Sequence, residues 1–168
     1  MSHPLLLALF RDAGTAAAAA REVHEAGIGR EDLSVVASDH HTEGKIAEQI
    51  GGSPGSEIED SPAASRLGEL GGYILAAIAI GMPGTGALVA AGPLAAELGE
   101  AAGHAAGDLT ATLVKAGLSE KEAVQWESRI HDGAVLLGVH ARAVNGRDVE
   151  SALARHSDGK VVNTQWGE

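Results

Sequence analysis

Two pairs of glutamate and histidine recur at a spacing of four, which on a helix places both side chains on one face. Glu100 precedes His104, with Asp108 one turn further on, and Glu127 precedes His131. Carboxylate and imidazole groups on two facing helices can bind a metal ion. The spacing of three typical of di-iron bundles is absent, and charges at these spacings are more often a solvated helix face. Metal binding by these residues is therefore the outlying hypothesis, and no cofactor is expected.

Motifs of nucleophilic or phosphate chemistry are absent from the sequence. There is no cysteine and no Gly-x-Ser-x-Gly, and residues 84–86 (GTG) lack the downstream Gly-Lys of a phosphate loop. Adjacent His40 and His41 are nonspecific in a loop, whereas His24 and His140 are expected to satisfy local hydrogen bonds. Aromatic residues make up only 2% of the chain, so no aromatic-lined substrate pocket is evident. We expect a protein that is not an enzyme.

The composition narrows the classes of partner. A net charge of −11 argues against nucleic-acid binding, which requires a basic face, and disfavours binding to anionic lipid headgroups. Apolar residues make up 45% of the chain and are mostly alanine, so the core must rely on close backbone packing or on contacts between subunits.

The two ends of the chain each predict a βαβ unit. In residues 1–38, apolar runs at 5–10 and 33–37 predict buried strands around a helix at 12–26 that Asp12 caps. Residues 118–168 begin with a capping box, Ser119 to Glu122, and a helix to Ile130. The elements that follow are a strand at 134–139, a helix at 146–156 and a weaker strand at 160–164. Parallel strands within each unit and one shared sheet predict an α+β, ferredoxin-like pair of halves, with helices 12–26 and 146–156 on one face.

The middle of the chain is interpreted as an insertion between these halves. Residues 39–62 are polar and rich in glycine and serine, which predicts a linker. Residues 63–117 predict an antiparallel helical hairpin, with arms at 63–81 and 94–115 on either side of the Pro-Gly break at 82–86.

Residues 71–96 contain no charge over 26 positions. A spanning helix needs about 20 apolar residues, and neither arm of the hairpin supplies them without a break or a charge. A single crossing would also separate two halves that must share a sheet. Shallow membrane contact through the tip of the 71–96 hairpin stays open as an alternative.

A ridge of small residues runs along the predicted arms. Glycine costs about 1 kcal/mol per helix position relative to alanine, so its regular recurrence indicates close helix approach. The ridge can pack within the hairpin or on another chain, and we expect it to mediate self-association, since a lone hairpin exposes too much apolar surface. Its members are Gly68, Gly72 and Ala76 on the first arm and Ala95, Gly99, Gly103 and Gly107 on the second.

Three segments resemble the bacterial general-stress and heat- or low-temperature-induced proteins that carry a domain of unknown function. They are ALFRDAGTAAAAAREVHEAGIGREDLSVVASD, VAAGPLAAELG and GLSEKEAVQWESRIHDGAVLLGVHA. The resemblance implies a ferredoxin-like pair of halves around a glycine-rich helical segment, a stress-linked non-enzymatic role and no catalytic residue. The long 39–62 linker departs from that pattern and leaves room for a scaffold or anchor role in a larger complex.

The resulting hypothesis is a cytoplasmic, non-enzymatic module that self-associates through its glycine-rich hairpin. The alternative is a peripheral protein of the inner membrane face, or one that binds a hydrophobic ligand such as a lipid or quinone.

Overall fold

The computed structural model describes residues 2–38, 78–82, 86–102, 109–142 and 144–167, which form an α+β fold. The strands are β1 (His3–Phe10), β2 (Leu33–Ser38), β3 (Ile78–Met82), β4 (Gly86–Ala91), β5 (Val135–His140) and β6 (Val162–Trp166). The helices are α1 (Ala13–Glu25), α2 (Pro93–Ala102), α3 (Leu109–Lys115), α4 (Glu120–His131) and α5 (Gly146–His156), with a 3-10 turn at Arg30–Asp32.

All six strands belong to one sheet in the order β3-β4-β2-β5-β1-β6, and every neighbouring pair is antiparallel. The prediction that the four strands of the two ends share a sheet is confirmed. β1 and β2 both pair with β5, so they run parallel to each other with β5 between them. β5 and β6 are likewise parallel on either side of β1.

The helices form two layers around this sheet. α1 and α5 pack on one face, over strand residues that include Leu6, Phe10 and Leu137, as predicted. α2, α3 and α4 cover the opposite face, over Leu5, Leu7 and other residues of alternate parity. Side chains alternate across a strand, so one apolar run such as β1 supplies both cores. We call these two sides the α1/α5 face and the α2–α4 face.

Local signals account for several helix boundaries. The Asp12 carboxylate accepts a hydrogen bond from the Thr15 N–H at 2.8 Å and caps α1. The predicted capping box is present at the start of α4, where Ser119 and Glu122 satisfy each other's backbone N–H groups. On α4, Ala123, Trp126 and Ile130 are buried in the core, as predicted.

The prediction of a helical hairpin is wrong in the part of the insertion that the structure describes. Residues 78–82, placed largely in the first helical arm, form β3, and residues 86–91 form β4. The two strands pair with each other, and β4 pairs with β2 from Val35↔Ala91 to Ser38↔Leu88. Periodicity cannot separate a short uncharged run in a buried strand from one in a buried helix, and here an adjacent sheet edge decided the outcome.

The second arm, predicted as one helix over 94–115, is helical in both of the parts that the structure describes. It comprises α2 and α3, and residues 103–108 between them lie outside the described residues. The 39–62 linker and residues 63–77 of the first arm also lie outside them. Within the described ranges, no helix has the length and apolar character needed to cross a membrane.

Candidate functional site

A row of polar and aromatic side chains crosses four adjacent strands on the α2–α4 face. Ser34 lies on β2, His140 on β5, His3 on β1 and Trp166 on β6. The strands are neighbours in that order, and all four residues fall at positions of the same parity as the apolar residues of this face. We call this set the polar row.

His140 is the centre of the polar row. Its Nδ1 lies 2.8 Å from His3 Nε2, and its Nε2 lies 3.4 Å from Ser34 Oγ. The Trp166 ring meets the imidazole edge-on, with ring centroids 5.5 Å apart. His140 and Ser34 are both 0% exposed, whereas His3 and Trp166 are half-buried. The row therefore runs from a buried end at Ser34 to a partly accessible end at His3 and Trp166.

The N-terminal end of α2 rests on the buried end of the row. The Leu94 N–H donates to Ser34 Oγ at 3.0 Å, so the hydroxyl satisfies one of the N–H groups that a helix start leaves unpaired.

Two glycines allow this approach. Gly92 has φ +78, and a Cβ there would come within 2.2 Å of the Leu33 carbonyl oxygen. A Cβ on Gly138 would come within 2.9 Å of Leu94 Cδ1.

The electrostatics of the polar row favour neutral imidazole at its centre. Burial, together with the nearby charges of His3 and Arg142, lowers the pKa of His140 from 6.5 to about 4. At neutral pH one of its ring nitrogens is therefore a donor and the other an acceptor. The row forms a continuous hydrogen-bonded path from the Leu94 N–H through Ser34 and His140 to His3.

The row combines residue types found in serine hydrolases, but its geometry does not favour nucleophilic catalysis. A nucleophilic hydroxyl must contact a substrate carbonyl, and Ser34 is fully buried while its oxygen accepts from Leu94. The 3.4 Å separation from His140 Nε2 is also longer than the 2.6–3.2 Å typical of a nucleophile paired with its base. The arrangement instead ties three strands and the start of a helix together through its hydrogen bonds.

The structure brings one of the two predicted Glu–His pairs together. His131 Nε2 lies 4.0 Å from Glu127 Oε1, and the Thr110 hydroxyl on α3 donates to Glu127. Glu100 lies on α2, in the part whose side chains are not described, and His104 lies outside the described residues. Among the side chains that the structure describes, no group of three or more acidic or histidine residues is arranged to bind a metal ion.

The predicted glycine ridge is represented in the structure by two of its members. Ala95 is 5% exposed and belongs to the core of the α2–α4 face, so it packs against the chain's own sheet. Gly99 lies one turn further along α2. Gly68, Gly72, Ala76, Gly103 and Gly107 lie outside the described residues, so their role in helix packing stays a prediction.

Sequence reasoning missed the polar row because its contacts are long-range. His24 has a local bond, from its Nδ1 to the Ile28 carbonyl oxygen at 2.9 Å, as predicted. His140 instead contacts residues 106 and 137 positions away along the chain. The available signal was a polar residue at a core-facing position of an apolar strand, which both Ser34 and His140 show.

Comparison of the chain with protein-family profiles, curated proteins and solved structures gave no match. The class that the structure defines is an α+β protein with a six-stranded antiparallel sheet between two helical layers.

Proposed function

We propose that this protein is a non-enzymatic structural module that self-associates by pairing the β3 strands of two copies. The observation that carries the proposal is the position and composition of β3. It is the last strand on its side of the sheet, and within the described residues it pairs with β4 alone. An edge strand offers unpaired N–H and C=O groups that template pairing with another chain.

The five residues of β3 lack the usual protection of an edge. Proteins prevent edge pairing with charged residues and proline on the strand, and Ile78–Met82 contains neither. The whole 71–96 stretch is uncharged in a chain of net charge −11. Two such chains repel each other over most of their surfaces, so an uncharged edge is where contact costs least.

A second copy is the occupant that best fits this strand. An antiparallel pair of identical strands is related by a two-fold axis, so any strand edge that is free to pair is complementary to itself. Such a contact would extend two six-stranded sheets into one. The proposal keeps the self-association inferred from the sequence, but the interface is now strand β3 and not the helical glycine ridge.

The four strands from the two ends of the chain also support a scaffold role. The order β2-β5-β1-β6, with α1 and α5 on one face, supports the assignment of a ferredoxin-like unit to which β3 and β4 add an extension. The resemblance to general stress proteins supports a stress-linked setting for this scaffold. We further propose that it acts in the cytoplasm, where larger assemblies can include other proteins.

Proline substitution tests the edge directly. N–H groups alternate sides along a strand, so those of Ala79 and Ile80 point to opposite edges of β3. In Ala79→Pro and Ile80→Pro, one proline removes a bond to β4 and the other removes only a donor available to a partner chain. We expect the parent to be larger than a monomer in light scattering, and one of the two variants to be a folded monomer whose melting temperature no longer depends on protein concentration.

Matched prolines on the opposite edge are the control. Asn163→Pro and Thr164→Pro in β6 should leave the assembled mass unchanged, whatever they do to stability. A parent that is monomeric at every concentration would refute self-association. An assembled parent whose mass survives both β3 prolines would refute the edge. Sedimentation of the parent with neutral lipid vesicles would instead favour the membrane alternative, which the burial of Leu88–Ala91 in the core disfavours.

A further inference from the structure

The polar row lies at the end of the sheet where the first and last described residues lie close together. Ser2 packs against Gly167, and His3 is directly opposite Trp166 in the β1–β6 register. The row therefore joins the last residues of β6 to the centre of the sheet.

Hydrogen-bond counting limits how many protons the His3–His140 contact can hold. At 2.8 Å, one hydrogen must lie between His3 Nε2 and His140 Nδ1, donated by one ring and accepted by the other. If His3 is protonated, it donates and His140 Nδ1 accepts. If both rings are protonated, each nitrogen carries a hydrogen and the contact becomes repulsive. The pair accommodates one excess proton and rejects the second.

We propose that the His3–His140 pair is an acid-sensitive latch that holds the end of β6 on the sheet and opens when both imidazoles are protonated. The inference is independent of the self-association at β3, which lies at the opposite edge.

The described charges near His140 disfavour its protonated form. The described charged and titratable groups that act on His140 are His3 on β1 and Arg142 just after β5, and both disfavour its cation. Arg142 is itself paired with Asp32, whose Oδ1 lies 3.3 Å from Arg142 Nη1. The other neighbours, Ser34 and the Leu94 N–H at the start of α2, are uncharged.

The half-buried end of the row is the one that can move. Ser34 and Leu94 are held in the core, at 0% and 1% exposure. Trp166 covers His140 from the other side and belongs to a five-residue strand that, within the described residues, pairs only with β1. Short edge strands that pair on one side only are among the elements that open at lowest cost. Hydration of a His140 cation therefore proceeds by displacement of Trp166 and the end of β6.

Amide hydrogen exchange on the full chain tests the latch. The protection factors of residues 162–166 are compared at pH 7.5 and pH 5, corrected for intrinsic exchange, with β2 as internal reference. A His140 pKa of about 4 when closed and 6.5 when open predicts that local opening increases about thirty-fold over this range. β2 should stay better protected than β6 at both pH values, because it exchanges only through larger openings, and these expose His140 too.

His3→Gln is the discriminating variant. A glutamine side chain can donate to or accept from His140 Nδ1 but cannot be protonated, so the repulsive state is removed while the contact is kept. We expect the pH-dependent opening of β6 to fall below tenfold. His140→Gln should remove it altogether, and His3→Gln, at a half-buried position, serves if that core variant does not fold.

Two results would overturn the latch. One is a parent in which the protection of β6 is the same at pH 7.5 and pH 5. The other is a His3→Gln variant whose β6 opens with the same pH dependence as the parent, which would mean that burial of His140 acts without its partner.

Discussion

Each face of the sheet has an apolar core, but the two cores differ in the polar residues that they contain. The α1/α5 face is lined by apolar residues, with alanines at five positions of the two helices. On the α2–α4 face lie all four of the buried polar residues that the structure describes: Ser34, Ser38, Thr112 and His140. A purely apolar face tolerates pH change, whereas a face with buried polar groups depends on the protonation and pairing of each one.

The ionic contacts of the α1/α5 side lie at its surface. Glu22 on α1 accepts hydrogen bonds from Arg155 Nε at 2.8 Å and from His156 Nε2 at 2.7 Å, both at the end of α5. These bonds, His156 first, lower the pKa of Glu22. Surface pairs of this kind contribute little because water competes for them. Titration on this side therefore occurs outside the core, whereas the other side has a titratable group, His140, within its core.

The largest expected effect on stability comes from placing a charge in either of the two apolar cores. Leu136 faces α2–α4 and Leu137 faces α1/α5, and both are 0% exposed at the centre of β5. Leu136→Asp and Leu137→Asp should each cost about 5 kcal/mol or more, because each removes packing and buries an unpaired charge. Urea unfolding followed by circular dichroism measures this. Val124→Asp, at a side chain 54% exposed, is the control and should lie within about 0.5 kcal/mol of the parent. A stable Leu136→Asp would mean that the α2–α4 side is not a true core.

The faces also differ in how far the sequence predicts them. α1 and α5 follow from an Asp12 cap, an Asn145-Gly146 start and apolar residues at helical spacing, all of which are local signals. On the α2–α4 side, the strands that lead into α2 cannot be predicted without knowing which strands pair in the sheet. Residues 78–82 and 86–91 carry no charge, so their composition allows a helix or a strand. Pairing decides the outcome, because β4 pairs with β2 and β3 pairs with β4.

The candidate site was beyond sequence reasoning for the same reason. Ser34 and His140 each appear in the sequence as a single polar residue in an apolar run. Their meeting depends on β5 lying between β2 and β1, and the approach of Leu94 depends on the β3–β4 extension that precedes α2. The capping box at Ser119 could be predicted because all of its partners lie within four residues.

A second prediction concerns the close approach of α2 to the polar row of the α2–α4 face. Gly92→Ala forces an alanine into φ +78 and places its Cβ against the backbone of Leu33 and Ser34, which cannot rotate away. We expect a loss of about 2–4 kcal/mol in the free energy of unfolding. Gly133→Ala also has positive φ, but its Cβ would meet open space, so it should cost only about 1–2 kcal/mol. Equal costs for the two variants would show that α2 does not depend on this close approach.

The smallest expected effect is the pH dependence of the unfolding free energy, which we expect to come from the α2–α4 face. The pKa of His140 is lower in the folded protein than in the unfolded chain, so the unfolded chain binds the proton more tightly. This contribution to stability is complete above pH 6.5 and is lost as the pH falls toward 4. Between pH 7 and pH 5 the loss should be about 2 kcal/mol.

The carboxylates behave differently. Glu22 and Glu122 have lowered pKa values, Glu122 to about 2, so their contribution persists above pH 4.5 and is lost only at lower pH. Unfolding free energies measured at pH 7, 6 and 5 should therefore fall in the parent and in Glu22→Gln with the same slope. His140→Gln should flatten that slope, since no titrating group remains at the centre of the row. If Glu22→Gln flattened it instead, acid sensitivity would belong to the surface of the α1/α5 side, and the two faces would not differ in the way their buried residues imply.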